Sequence, residues 1–219
     1  MLPLRVRYQT YEFGDLDIHV CALRDTQEYS DEEGEAADLG ISSAMWPLFG
    51  VVWDSGQALA RLMVDFDIEG KRVLEVGCGI GLASLVLNHR DADITATDRH
   101  PEAGRFLARN AELNDGPAIP FVRAGWDDGD AIDDGLGRFD LIIGSDLLYE
   151  RGHADSLSGF IERHAQEHCE VLLLDPRRGY GAHFRRHIVA QGYAYREQAL
   201  APVEPPGAPY QGQLLRFSR

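Results

Sequence analysis

Lysine, cysteine and long apolar runs are what this chain has least of. Of its 219 residues only one, Lys71, is a lysine, and 21 basic residues stand against 36 acidic ones, a formal net charge of −15. Binding to a nucleic-acid backbone needs clustered Lys and Arg to displace counterions, so that class is excluded. No apolar run approaches the length of a transmembrane helix, so no membrane span is expected. The start, Met1-Leu2-Pro3-Leu4-Arg5, lacks the apolar core and cleavage site of a signal peptide, and the expectation is a cytoplasmic protein. Three scattered cysteines, Cys21, Cys78 and Cys169, form neither a disulfide framework nor a metal-ligand spacing. Nothing marks an obligate dimer. What remains, 44% hydrophobic and 26% charged residues, is ordinary globular composition.

Residues 5–23 alternate apolar and polar around Gly14-Asp15, as a β-hairpin does. Residues 25–38 are acidic and apolar-poor and read as a loose loop. Ser55 is placed to cap a helix running to Phe66, with Leu59, Leu62, Met63 and Phe66 on one face. From Arg72 strand and helix patterns alternate. Strands are expected at 73–76, 94–97, 119–123, 139–144, 171–175, 193–198 and 213–217, with Pro202 to Pro209 as a loop between the last two. Short continuous apolar runs such as 139–144 suit parallel strands covered on both faces. The expected fold is α/β: a Rossmann-like, doubly wound, seven-strand sheet, mostly parallel with an antiparallel strand near the C-terminus. One domain is expected over 1–219, its residues 1–70 forming a hairpin, an acidic loop and a helix that cover the cofactor, and 71–219 the cofactor-binding core.

The chemistry concentrates in Leu74-Glu75-Val76-Gly77-Cys78-Gly79-Ile80-Gly81, at a strand-to-helix turn. Glycines there let backbone N–H groups approach a ligand at a helix N-terminus. The G-x-G-x-G spacing departs from the dinucleotide fingerprint G-x-G-x-x-G. Glu75, two residues before Gly77, would repel a pyrophosphate but could pair with the ammonium of a methionine moiety, which favours S-adenosylmethionine. Asp98 ends the second core strand, 21 residues after Gly77, where an acid can accept from both ribose hydroxyls; a helix-capping aspartate is the alternative. The fourth core strand ends in Gly144-Ser145-Asp146-Leu147-Leu148-Tyr149. Ligands lie outside the carboxyl ends of such strands, so Asp146 could orient an incoming ammonium and Tyr149 wall its stem. A capping Asp and a core Tyr are the alternatives.

These stretches, with Trp46-Pro47, Trp53 to Gly56, Ala58-Leu59-Ala60, Asn110, Asn114, Gly125-Trp126 and 139–149, resemble the seven-strand protein-lysine methyltransferases of methyltransferase family 16 over about half the chain. The segment from Asp146 to Tyr149 fits the family's acidic-x-x-aromatic signature. The resemblance implies S-adenosylmethionine as cofactor, S-adenosyl-L-homocysteine as product, and a protein substrate methylated on a side-chain nitrogen, most often lysine. It implies that Trp53 lines the cofactor pocket, Trp126 flanks the adenine and Ser145 sits beside the cofactor; read as residues alone, both tryptophans fit a core equally well. Residues 56–61 are similar to the branch that modifies electron-transfer flavoprotein, while the motifs leave the acceptor protein open. A lysine-modifying enzyme would also gain by carrying few lysines of its own.

His164-Ala165-Gln166-Glu167-His168 matches an H-x-x-E-H pattern, but it falls where a helix ends and has no third ligand at a fitting spacing, so no metal is expected there. The competing functions are a small-molecule N-methyltransferase, a non-catalytic S-adenosylmethionine-binding protein, and an acidic interaction module without cofactor.

Overall fold

The alternation of residues along each central strand decides the architecture. In β3 (Arg72–Val76) Val73 joins one apolar cluster and Leu74 and Val76 another on the opposite face. In β7 (Ala165–Asp175) Leu172 and Leu174 divide from Val171 and Leu173 in the same way. A sheet apolar on both faces needs helices on both. A computed structural model of the chain describes residues 4–127, 135–198 and 210–219 and supplies them. The expected loop from Pro202 to Pro209 lies outside the described residues.

The hairpin strands are β1 (Val6–Phe13) and β2 (Leu16–Leu23), followed by a one-turn helix α1 (Glu35–Asp38) and then α2 (Asp54–Asp65). After β3 come α3 (Leu82–His89), β4 (Asp93–Asp98), α4 (Ala103–Leu113), β5 (Phe121–Arg123) and β6 (Phe139–Ser145). The chain continues through α5 (His153–His164), β7, α6 (Gly181–Ala190), β8 (Ala194–Gln198) and β9 (Gln213–Ser218). The seven-strand sheet has the order β5-β4-β3-β6-β7-β9-β8, and β9 runs antiparallel to both its neighbours. The strand order reverses between β3 and β6, so their carboxyl ends frame a crevice. Lys71 lies at the other end of β3, its ammonium donating to the Asp67 carbonyl at 2.7 Å. Among the described residues no helix is long and apolar enough to cross a membrane.

Three local expectations differ from the structure. Ser55 does not cap α2; Trp53 is the N-cap, without a side-chain bond, and Ser55 is buried one residue inside. The acidic 25–38 segment is tied down, because the Glu28 carboxylate pairs with Arg5 at 2.6 Å and Arg24 at 3.1 Å, and Tyr29 lies edge-on to Phe49 and His100. The hairpin does not cover the crevice; it docks on α4.

That docking has an unusual agent. Asn110 on α4 and Asn114 at its C-cap, one turn apart, hydrogen-bond the edge of β2 as a third strand would. Asn110 accepts from the Cys21 N–H at 2.7 Å and donates to the Cys21 carbonyl at 3.2 Å; Asn114 does the same for His19 at 2.8 and 2.7 Å. Asn110 is fully buried. Asn110→Ala strands a buried donor and acceptor, so a destabilisation of about 2–4 kcal/mol is expected, read as a lower denaturation midpoint in urea. Asn114→Ala, at a more exposed position, should cost less.

Candidate active site

Backbone geometry prepares the crevice before any side chain enters it. After β3 the chain turns through Gly77 (φ 61°) and Gly79 (φ 54°), a region that side chains disfavour. A Cβ on Gly79 would stand 3.0 Å from the Phe49 carbonyl oxygen, and one on Gly77 would stand 2.6 Å from the Leu147 side chain. The loop therefore runs close under the 48–53 segment and opens α3. The result is a cavity of about 390 Å³, within the usual range for small-ligand sites.

All nine residues singled out from the sequence, Trp53, Glu75, Gly77, Gly79, Asp98, Trp126, Ser145, Asp146 and Tyr149, line this one cavity. The wall facing the glycine loop comes from Ile41, Met45 and residues 48–53 rather than from the hairpin.

Glu75 is 4% exposed, on the α3 side of β3. One carboxylate oxygen accepts the Ser84 N–H at 2.9 Å and the Ser84 hydroxyl, which completes the first turn of α3. Burial pushes its pKa up to about 7, against the lowering effect of those bonds. Asp98 accepts the Gly79 N–H at 2.8 Å on one oxygen and the His100 N–H at 2.8 Å on the other. Burial again raises its pKa. The carboxylate thus joins the loop after β3 to the turn after β4 at the wall of the cavity.

Trp53 is 39% exposed, with its ring N–H donated to the Leu48 carbonyl at 3.0 Å; it belongs to the cavity rim rather than the core. Trp126 is half-buried and meets His153 edge-on at 5.2 Å. Tyr149 also meets His153 edge-on, at 4.7 Å, and burial, then the charge of Asp98, pushes its phenol up to about 12. Tyr149 is therefore a neutral phenol at working pH. Ser145, the last residue of β6, stands close to Gly56 of α2.

Asp146 follows directly, in the left-handed region (φ 54°), while its N–H still bonds the Leu174 carbonyl at 2.8 Å. The backbone thus turns off the strand at this residue, and Asp tolerates that conformation better than most. Its carboxylate already has a partner. Arg178 grips both oxygens, each at 2.6 Å, with the Asp146 side chain 12% exposed and that of Arg178 45% exposed. Asp175 sets up this clamp, accepting the Arg177 N–H at 3.0 Å and the Gln213 amide at 2.8 Å.

Arg178 and His100 are among the cavity residues that the sequence does not single out. Arg178 was passed over because its partner lies 32 residues away. His100 stacks on Phe49 at 3.9 Å, and burial lowers its pKa to about 4, so it is a neutral wall. Its position two residues after Asp98 was the only available signal. The H-x-x-E-H histidines part company. His164 closes α5, buried, with Nδ1 3.0 Å from the Gly137 carbonyl, while His168 is exposed on β7.

A mouse electron transfer flavoprotein beta subunit lysine methyltransferase is 32% identical over 166 residues, covering 74% of this chain and 62% of that protein. The zebrafish (Danio rerio) protein N-lysine methyltransferase METTL21A is 34% identical, covering 62% of this chain and 65% of that one. The chain thus spans less than two thirds of the length of these relatives. Among solved structures, a T. thermophilus 16S rRNA N2 G1207 methyltransferase, in complex with AdoMet and guanosine, superposes with a TM-score of 0.66 at 15% identity. That match covers 100% of this chain and 52% of the other and bears on fold alone. A sequence profile described as lysine methyltransferase matches residues 42–187, about two thirds of the chain and all nine cavity residues, and the chain accordingly belongs to the lysine methyltransferase family.

Proposed function

We propose that this chain transfers a methyl group from S-adenosylmethionine to the side-chain nitrogen of a lysine in a protein substrate. The observation that carries the reading is a pair of buried carboxylates, Glu75 and Asp98, at the ends of adjacent strands beside the glycine loop. Among the described residues neither forms a salt bridge with a Lys, Arg or His side chain; their partners are Ser84 and backbone N–H groups. A buried acid without a counter-ion is costly, and an ammonium group offsets that cost. The family profile and the relatives' names support the same reading.

When bound, S-adenosylmethionine supplies a methyl already activated by its sulfonium, so the protein's task is positioning and charge placement. Glu75 would receive the ammonium of the methionine moiety, and Asp98 would accept from the ribose hydroxyls. Gly77 and Gly79 would allow close backbone approach. Trp126 would flank the adenine, Trp53 would close the rim, and Ser145 would stand beside the cofactor. On the acceptor side, Asp146 accepts an N–H of the incoming amine and Tyr149 walls its stem. Attack requires a neutral amine, although free lysine titrates near about 10.4. The Arg178 guanidinium, held beside that position, disfavours the ammonium form. Asp146 would pass the amine's surplus proton on to water. Arg178 opens to solvent, which suits an acceptor presented on a protein surface. We also infer a reducing, cytoplasmic setting, in keeping with three buried, unpaired cysteines.

Calorimetric titration tests the first half. Micromolar binding of S-adenosylmethionine, and none of NADH, is expected. A labelled-methyl reaction with lysate proteins tests the second, with label recovered as methyllysine after hydrolysis. No binding to the folded protein, or label appearing only on small molecules, would overturn the proposal.

A further inference from the structure

We propose that Asp155, His183 and His187 form a site for one divalent first-row metal ion, clipping α5 to α6 outside the candidate active site. His183 and His187 are one turn apart on α6, so both imidazoles leave the same face. Asp155 lies in the first turn of α5, and the two helices are packed together. Three possible ligand atoms converge there. His187 Nε2 is 2.8 Å from Asp155 Oδ1, His183 Nε2 is 3.4 Å from the same oxygen, and the two nitrogens are 3.2 Å apart.

Those three separations are what a metal requires. Zinc bound tetrahedrally at about 2.0–2.1 Å from nitrogen or oxygen holds its ligand atoms about 3.3 Å apart. An ion can therefore enter the triangle with shifts of a few tenths of an ångström. Two imidazoles and one carboxylate suit zinc, cobalt, nickel or copper better than magnesium or calcium. Each member of the triad is at least partly exposed, which leaves the outer coordination positions to water. Arg186 opposes the ion, with its guanidinium 2.7 Å from His183 Nδ1. Metal binding at Nε2 places the ring proton on Nδ1, so Arg186 must swing away; it is exposed and can do so.

The clip would act through stability, not chemistry. The cavity lies near the amino ends of both helices: His153 opens α5 and Arg178 stands three residues before α6, and both line it. An ion held at the triad would brace α5 and the segment that leads into α6.

Untagged, chelator-treated full-length protein titrated with Co²⁺ and then Zn²⁺ tests this. One equivalent should bind, with the visible absorption of tetrahedral Co²⁺ lost on adding Zn²⁺, and saturating Zn²⁺ should raise the melting temperature. His187→Gln and Asp155→Asn should each weaken binding by about tenfold or more and abolish the thermal shift. Both variants must retain the metal-free protein's melting transition, and a third, His183→Gln, replaces either that does not. Absence of stoichiometric binding, or binding unchanged in the folded variants, would overturn the proposal.

Discussion

Glu75→Gln should weaken binding of S-adenosylmethionine severely and yet make the unliganded protein more stable. The folded pKa of Glu75 is about 7, above its ordinary 4.5, because burial penalises the charged form. Below pH 4.5 the group is protonated in both folded and unfolded chains and contributes nothing. Between 4.5 and 7 the unfolded chain releases the proton while the folded one keeps it, so stability falls with rising pH. Above 7 the loss is complete, on the order of 3 kcal/mol as an upper figure. Glutamine can still accept from Ser84 but carries no charge to desolvate. Its melting temperature at pH 8 should rise by a few degrees, and the decline between pH 4.5 and 7 should flatten. Ligand affinity should move the other way. Wild-type binding should strengthen as pH rises through 7, with a proton released on binding, whereas the glutamine variant should bind about 100-fold more weakly or worse. Calorimetry in buffers of different ionisation enthalpy reads both. Unchanged affinity would remove Glu75 from the ammonium site.

Asp146→Asn should reduce methyl transfer by about 10²–10³-fold while leaving S-adenosylmethionine affinity within about threefold. Asparagine is the informative replacement because it tolerates the left-handed backbone at this position. It keeps one acceptor and the side chain's shape but loses the charge that both Arg178 and the incoming amine use. Arg178→Ala separates the two roles. With the guanidinium gone, the acceptor amine holds its proton more tightly, so the rate profile should move to higher pH, with activity recovered under alkaline conditions. A merely structural Arg178 would lower the rate equally at every pH. Loss of cofactor binding in Asp146→Asn would contradict its assignment to the acceptor side.

The glycine loop, Glu75 and Asp98 were legible because each lies at the end of one strand, where position follows from a few residues of local pattern. The parallel core was legible for the same reason, since β6 and β7 announce burial on both faces through continuous apolar runs. Relations across the sheet were not. Arg178 meets Asp146 only because Asp175 fixes the turn after β7, and one sequence states neither the turn nor the pairing. Asn110 and Asn114 stood out by resemblance, but their work depends on a hairpin some 90 residues earlier. Composition misled at residues 25–38, because acidity says nothing of whether Arg5 and Arg24 are near enough to pair with Glu28. Ser55 has the residue type of a cap, but the helix begins two positions too soon for it to act as one.

The lone lysine gives the fold a last consequence. Lys71 precedes β3 at the end of the sheet opposite the cavity, with roughly 15 Å of buried strand between them. Its amine cannot reach the cavity of its own chain. On the proposed activity, methylation of Lys71 would therefore have to come from a second molecule, and never from the cavity beside which it folds.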